Sequence, residues 1–98
     1  MIAVRLQDED GHVEDEFDDS EILNVIIERN TADTKCLLFI DPYGDTTFNR
    51  YQAEVLAKEV DAAAANISDV DAERARRLAA FVRRAAAQVH TYVKLIGD

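Results

Sequence analysis

The chain has 98 residues, of which 48% are apolar, so it is long enough for one small domain with a hydrophobic core. Its formal net charge of −9 lies in residues 8–21, which hold nine acids and neither Lys nor Arg, whereas the rest of the chain has eleven acids and eleven basic residues. No apolar run approaches the roughly 18 residues of a membrane span and no cationic start precedes an apolar stretch, so we expect a cytoplasmic protein with no membrane partner.

The first third of the chain is predicted to form a β-hairpin and then a helix. Ile2, Val4 and Leu6 alternate with less apolar residues, which indicates a strand over 2–7 with one buried face. The turn dipeptide Asp10-Gly11 leads into a second, weaker strand over 12–17. A helix over 20–30 follows, with Asp19 or Ser20 as its N-cap.

The middle and the end of the chain are predicted to add two strands and two helices. The apolar run Lys35–Ile40 is typical of a central strand buried on both faces. A helix capped by Asp45 or Thr46 would then extend to about Asn66, with Phe48, Tyr51 and Val55 on its inward stripe. A third helix, opened by a capping box at Ser68, would reach about His90, and residues 91–96 (TYVKLI) would form a closing strand.

This order, β-β-α-β-α-α-β, predicts a single α+β domain over residues 1–98. One helix between the second and third strands allows a right-handed parallel crossover, whereas the helix pair makes the fourth strand antiparallel to the third. We therefore expect two layers, a mixed four-stranded sheet and three helices packed on it.

Polar side chains gather between residues 41 and 52, where the predicted third strand ends and a helix begins. Loops at strand ends are common places for binding sites, so this corner is a candidate for a partner or a ligand. The alternative is structural, because the same side chains can cap a helix and accept turn amides. No His or Cys accompanies them, so we expect no catalytic residue here. The candidate residues are Asp41, Tyr43, Asp45, Asn49 and Gln52.

The same stretch carries a resemblance. The pattern F-I-D-P-Y-G-D-T-x-F-N-x-x-Q resembles the signature of a small bacterial family of about a hundred residues, which also has a D-x-D-G strand pair and ends in I-G-D. Here these elements are residues 8–11 and 96–98, so the resemblance spans most of the chain. It implies a bacterial, single-domain protein and carries over no activity. The residues that match the motif are Asp41, Pro42, Tyr43, Gly44, Asp45, Thr46, Phe48, Asn49 and Gln52.

The acidic stretch is the second candidate. An EF-hand needs its glycine at loop position six, but Gly11 falls at position four when the loop starts at Asp8, so the calcium pattern fails. A charged edge strand protects a sheet from joining another, which explains some of the acids but not nine. A partner of opposite charge would compensate the rest. The candidate partner-binding residues are Asp8, Glu9, Asp10, Glu14, Asp15, Glu16, Asp18 and Asp19.

Five arginines of the third helix, Arg74, Arg76, Arg77, Arg83 and Arg84, offer a counter-argument. They resemble a nucleic-acid face, but Glu73 precedes two of them at helical pairing distance, so we expect local ion pairs and no direct nucleic-acid binding. The same arginines would also attract the acidic hairpin of a second copy and form a homodimer.

The remaining residue types exclude other chemistry. One cysteine, Cys36, cannot form an internal disulfide, and two histidines provide no zinc pattern, so we expect neither a metal nor a cofactor. The leading hypothesis is a small bacterial protein-binding module, an immunity or antitoxin-like inhibitor of a basic protein such as a toxin or nuclease. The alternatives are a small-molecule-binding or enzymatic domain with a pocket at residues 41–52, and a self-assembling structural subunit.

Overall fold

A computed structural model describes residues 2–29 and 33–98. The strands are β1 (Ala3–Asp8), β2 (Val13–Glu16), β3 (Asp45–Phe48) and β4 (Thr91–Ile96), and the helices are α1 (Glu21–Arg29), α2 (Arg50–Ala64) and α3 (Asp69–Ala87). A short 3₁₀ helix, Leu37–Phe39, lies between α1 and β3. The α+β class, the element order, the four strands and the three helices are those predicted from the sequence. In the part of the chain that the structure describes, no helix has the length and apolar character needed to cross a membrane.

The sheet has the order β2-β1-β4-β3, so the first and last strands are its two central members. β1 pairs with β4 from Ala3↔Ile96 to Asp8↔Thr91, and β4 pairs with β3 from Asp45↔Ile96 to Phe48↔Val93. All of the strand pairings are antiparallel. The parallel crossover that we expected is therefore wrong, and so is the mixed sheet, whereas the antiparallel relation of the third and fourth strands is confirmed.

The position of the third strand also differs from the prediction. Residues 35–40 do not form a strand, because the chain makes a 3₁₀ turn there that buries Leu37 and Ile40 and leaves Leu38 and Phe39 exposed. β3 is instead Asp45–Phe48, a short edge strand in a segment that we expected to open a helix. A short apolar run is also compatible with a turn that packs against the core, and hydrophobic periodicity alone does not distinguish such a turn from a buried strand.

The second helix consequently begins later than predicted. Its N-cap is Asn49, whose side chain accepts a hydrogen bond from the Gln52 amide while the Gln52 side chain accepts one from the Asn49 amide. Neither Asp45 nor Thr46 caps it, and Tyr51 is exposed rather than inward.

The hydrophobic core lies between one face of the sheet and the helices. Val4, Leu6, Val93 and Leu95 alternate along the central strands and are buried. On the helix side they meet Ile22, Leu23, Ile26, Leu56, Val60, Leu78 and Val82. α2 and α3 pack closely because small side chains line their contact: Ala53, Ala57, Ala72, Ala75 and Ala79 are all buried. The opposite sheet face, with half-buried Arg5, Gln7, Tyr92 and Lys94, is not part of this core.

Candidate functional site

The acidic hairpin is β1, β2 and the turn between them, continued to Asp19. Its turn is closed by Asp8, whose carboxylate accepts hydrogen bonds from the backbone N–H groups of Asp10 (3.0 Å) and His12 (2.8 Å). The His12 amide is the main cause of a lowered pKa at Asp8, and the partial burial that opposes it is weaker. Gly11 completes the turn at φ 87°, a backbone angle that side-chain-bearing residues rarely adopt.

Part of the hairpin faces the arginines of α3 in the same chain. Asp19 accepts two hydrogen bonds from the Arg74 guanidinium, each 2.7 Å, and a third from Arg77 at 3.3 Å. Asp15 accepts one from Arg84 at 2.7 Å. These arginines are the leading cause of the lowered pKa of Asp19 and of Asp15, and the bond to Asp19 is the first cause of the raised pKa of Arg74. The acidic segment thus holds α3 against the sheet.

The arginines of α3 are therefore used mainly inside the molecule. Arg83 reaches Asp61 of α2 at 2.7 Å, and Arg76 reaches Glu73 at 3.6 Å, the local pairing expected from the sequence. We did not predict that Arg74, Arg77 and Arg84 would pair with the hairpin of their own chain. A dimer built on these arginines and the hairpin of a second copy would have to break those pairs.

Internal pairing compensates only part of the acidic charge. Besides the α3 arginines, Arg5 contacts Glu16 at 3.5 Å, so three of the nine acids in residues 8–21 contact arginines, and within the described part of the chain the other six do not. Glu9 contacts the His90 ring at 3.0 Å, and Glu14 contacts the Thr91 hydroxyl at 3.2 Å. Within the described ranges, Asp10 and Asp18 form no ion pair.

Asp8, Asp10 and His12 bring one potential ligand atom each to within 4.8 Å of one another. Both oxygens of the Asp8 carboxylate already accept or share hydrogen bonds within this turn, Oδ1 with two amides and Oδ2 with the His12 ring at 3.2 Å. Hydrogen bonding within the turn accounts for this arrangement.

The corner at residues 41–52 is mainly a set of turn and cap interactions. Asp41 accepts a hydrogen bond from the Tyr43 amide at 2.9 Å, and Asn49 and Gln52 exchange the two bonds that cap α2. Asp45 lies 3.6 Å from the Lys94 ammonium group on the neighbouring strand. Tyr43 projects into solvent with 82% of its surface exposed. The contacts described for these residues are thus made within the turn, at the cap of α2 and with the neighbouring strand.

Gly97 connects this corner to the end of β4. Its amide donates a hydrogen bond to the Gly44 carbonyl oxygen at 2.8 Å. A Cβ atom at residue 97 would collide with the Pro42 carbonyl group and lie 2.7 Å from the Tyr43 nitrogen. The D-P-Y-G-D turn and the I-G-D ending, which occur far apart in the sequence, thus form one close backbone contact.

A shallow cleft of about 210 Å³ lies beside the first turn of α2. Of the residues predicted at the corner, only Asn49 lines it; the others are Arg50, Tyr51, Val89, His90, Thr91 and Tyr92. The Arg50 guanidinium stacks 4.9 Å from the centre of the Tyr51 ring. Sequence reasoning missed these residues, because the approach of residues 89–92 to α2 depends on the pairing of β3 with β4.

Comparison with protein families, with curated proteins and with solved structures finds no match to this chain. The resemblance to a small bacterial family therefore stays a prediction.

Proposed function

We propose that this chain is a small bacterial protein-binding module that recognises a basic partner through its acidic hairpin, as an immunity or antitoxin-like inhibitor. The observation that carries the proposal is the acidic field of residues 8–21, where six of the nine acids contact no arginine among the described residues. Such a field raises the association rate with a basic protein and repels acidic ones.

The residues of the hairpin divide into two groups. Asp19 and Arg74 are largely shielded, with side chains 21% and 27% exposed, and they connect the hairpin to α3. Asp10, Glu14 and Asp18 are exposed and have no arginine partner among the described residues. We therefore assign partner contact to the second group and a structural role to Asp19.

Recognition by side chains is favoured over addition of a strand to β2. All four residues of β2 are exposed at the edge of the sheet. The amide of Glu16, however, already donates to the Asp15 carboxylate at 2.8 Å, which reduces the main-chain groups that an added strand could use. Lys and Arg side chains of a partner would meet carboxylates along this edge instead.

The test is affinity capture from lysate of the protein's own source, with washes at low and high salt. We compare the triple variant Asp10→Asn, Glu14→Gln, Asp18→Asn with a charge-matched control, Glu28→Gln, Glu54→Gln, Glu73→Gln, whose substitutions lie on the three helices. A basic protein should bind at low salt to the wild type and to the control, and its recovery should fall at least tenfold with the hairpin variant. Equal recovery with both triple variants would contradict a role for the hairpin. The captured protein is then assayed with and without this chain, and an unchanged activity would exclude inhibition.

The cleft beside α2 supports a second candidate, a small-molecule-binding or enzymatic domain. Its lining combines the Arg50 cation with the aromatic rings of Tyr51 and Tyr92, a combination suited to a small anionic or aromatic ligand. Saturable thermal stabilisation by a metabolite, abolished by Tyr51→Ala, would favour this function, because ligand bound to the native state raises stability by mass action.

A further inference from the structure

The two edges of the sheet differ in chemistry. β2 carries Glu14, Asp15 and Glu16, and like charges prevent two such strands from pairing. β3 has the sequence DTTF, with uncharged threonines at its centre and no acid beyond Asp45. The chain therefore protects one edge of its sheet with charge and leaves the other without that protection.

The backbone of β3 has unused hydrogen-bonding groups on its outer side. Gly97 donates to Gly44, and in an antiparallel ladder the bonded pairs recur at every second residue, so Thr46 and Phe48 face β4. The N–H and C=O groups of Asp45 and Thr47 then point away from the sheet. Among residues 2–29 and 33–98, no hydrogen bond occupies these outward groups.

Exposed apolar side chains are concentrated in the segments that precede and follow β3. The described residues include seven large hydrophobic side chains that are exposed, and four of them lie just before or after β3. The Phe39 carbonyl oxygen lies 3.5 Å from the Thr46 hydroxyl, and the Asp41 amide donates to that hydroxyl at 3.1 Å, so the preceding turn is held against the strand. The four side chains are Leu38, Phe39, Tyr43 and Tyr51.

The placement of charge is compatible with a second copy of this chain as the occupant of the edge. If two sheets join through β3, seven strand spacings separate the two acidic β2 strands, roughly 34 Å at about 4.8 Å each. This distance is several times the Debye length of about 8 Å at physiological ionic strength, so the two acidic surfaces hardly repel. At the junction itself, Lys94 lies 3.6 Å from Asp45 and compensates its charge.

We propose that β3 is the interface of a homodimer in which two copies pair antiparallel and form one continuous eight-stranded sheet. One register gives hydrogen-bond partners to the outward N–H and C=O groups of both Asp45 and Thr47. It places Asp45 opposite Thr47 of the second copy, with the twofold axis at Thr46. The apolar side chains of both copies, Phe39 and Tyr43 foremost, lie beside the junction. This interface does not use the acidic hairpin and is independent of the function proposed above.

The test is the molar mass in solution, by light scattering and sedimentation equilibrium, from micromolar to several hundred micromolar protein. We expect the mass to rise with concentration towards twice the 11.0 kDa of one chain. Thr47→Pro should return it to one chain, because proline removes an outward N–H that the monomer does not use and is tolerated at such an edge position. Circular dichroism and thermal unfolding of the variant at low concentration check that its fold is retained.

A second variant keeps the proposal testable if Thr47→Pro does not fold. Phe39→Asp changes a side chain that is 70% exposed, so it should spare the monomer and weaken the dimer at least tenfold. Val70→Asp, at 74% exposure on the first turn of α3, is the matched control and should leave the dimer intact. A single-chain mass at every concentration would overturn the proposal. So would a dimer that dissociates in high salt and survives both Thr47→Pro and Phe39→Asp, which would indicate pairing of the hairpin with α3 of the second copy.

Discussion

Glu59 of α2 holds a distant part of the chain in place, and its removal should lower the free energy of unfolding. Its Oε1 atom accepts hydrogen bonds from the amides of Cys36 (3.0 Å) and Leu37 (2.9 Å), and Oε2 accepts one from Lys35 at 2.6 Å. These three amides would otherwise be without an acceptor at the start of the 3₁₀ turn. The contact fixes the segment between α1 and β3 against the helix layer.

The magnitude follows from the burial of the amides. Cys36 and Leu37 are each 5% exposed, whereas Lys35 is exposed and water can replace its acceptor. At about 1.5 kcal/mol for each bond between a buried amide and a charged group, Glu59→Ala should lower the free energy of unfolding by about 3 kcal/mol. For a domain of this size, that loss corresponds to a fall in Tm of roughly 15 °C.

A conservative variant separates geometry from charge. Glu59→Gln keeps one carbonyl oxygen for Cys36 and Leu37 but presents an NH₂ group to the Lys35 amide. The free energy of unfolding should therefore fall by about 1.5 kcal/mol, half of the fall in Glu59→Ala. Glu54→Ala is the control on the same helix; its pair with Lys58 spans 3.9 Å between exposed groups. That control should cost less than about 0.5 kcal/mol.

The assay is equilibrium unfolding in urea, combined with hydrogen exchange at the Cys36 and Leu37 amides. Exchange at both amides should accelerate more in Glu59→Ala than exchange at β4 does, because the change opens this segment first. A loss in Glu59→Ala no larger than that of the Glu54→Ala control would refute the reasoning, since it would mean that water replaces the carboxylate at no cost.

Two further predictions concern the turns and the pH dependence of stability. Gly97→Ala should lower the free energy of unfolding by about 2 kcal/mol or more, because the new Cβ would overlap the Pro42 carbonyl. Gly11→Ala should lower it by about 1 kcal/mol, because the space around residue 11 is open but its φ is 87°. Chemical denaturation of both variants measures the two losses. Arg74 lowers the pKa of Asp19 in the folded protein, so this ion pair contributes its full stability above the pKa of the unfolded state, near 3.8. The contribution is lost as the pH falls through the lower pKa of the folded state. Arg74→Ala should therefore flatten the acid limb of the stability–pH curve below about pH 4, and an unchanged limb would contradict the assignment.

Local signals in the sequence predicted the elements at the two ends of the chain. The Asp10-Gly11 dipeptide marked the hairpin, and the structure has its left-handed angle at Gly11. Ser68 caps α3 by accepting from the Asp71 amide at 3.3 Å, and the closing strand spans Thr91–Ile96 as predicted. The hairpin turn and the helix cap are made by contacts within a few residues, and the closing strand has strong β-propensity of its own, so pattern and propensity were sufficient.

The middle of the chain depended on contacts that the sequence does not display. The six residues Lys35–Ile40 contain enough apolar character for a strand, but the first three of their backbone amides donate to Glu59, which is 22 to 24 residues away. Asp45–Phe48 is polar and lies where a cap was expected, and it becomes a strand only because β4 supplies a neighbour. The cleft beside α2 likewise joins distant parts of the chain, because residues 49–51 and 89–92 line it together.

The arrangement of the sheet also imposes an order on folding. β4 is the last strand along the chain, yet it lies between β1 and β3 and pairs with both. Before it is in place, β1 has only the short hairpin partner β2, and β3 has no strand beside it. Closing the β1–β4 ladder joins residues more than eighty positions apart, from Asp8↔Thr91 to Ala3↔Ile96, and such long-range pairing slows folding. During synthesis the helices and the hairpin can form early, but the sheet becomes continuous only after residues 91–96 have left the ribosome.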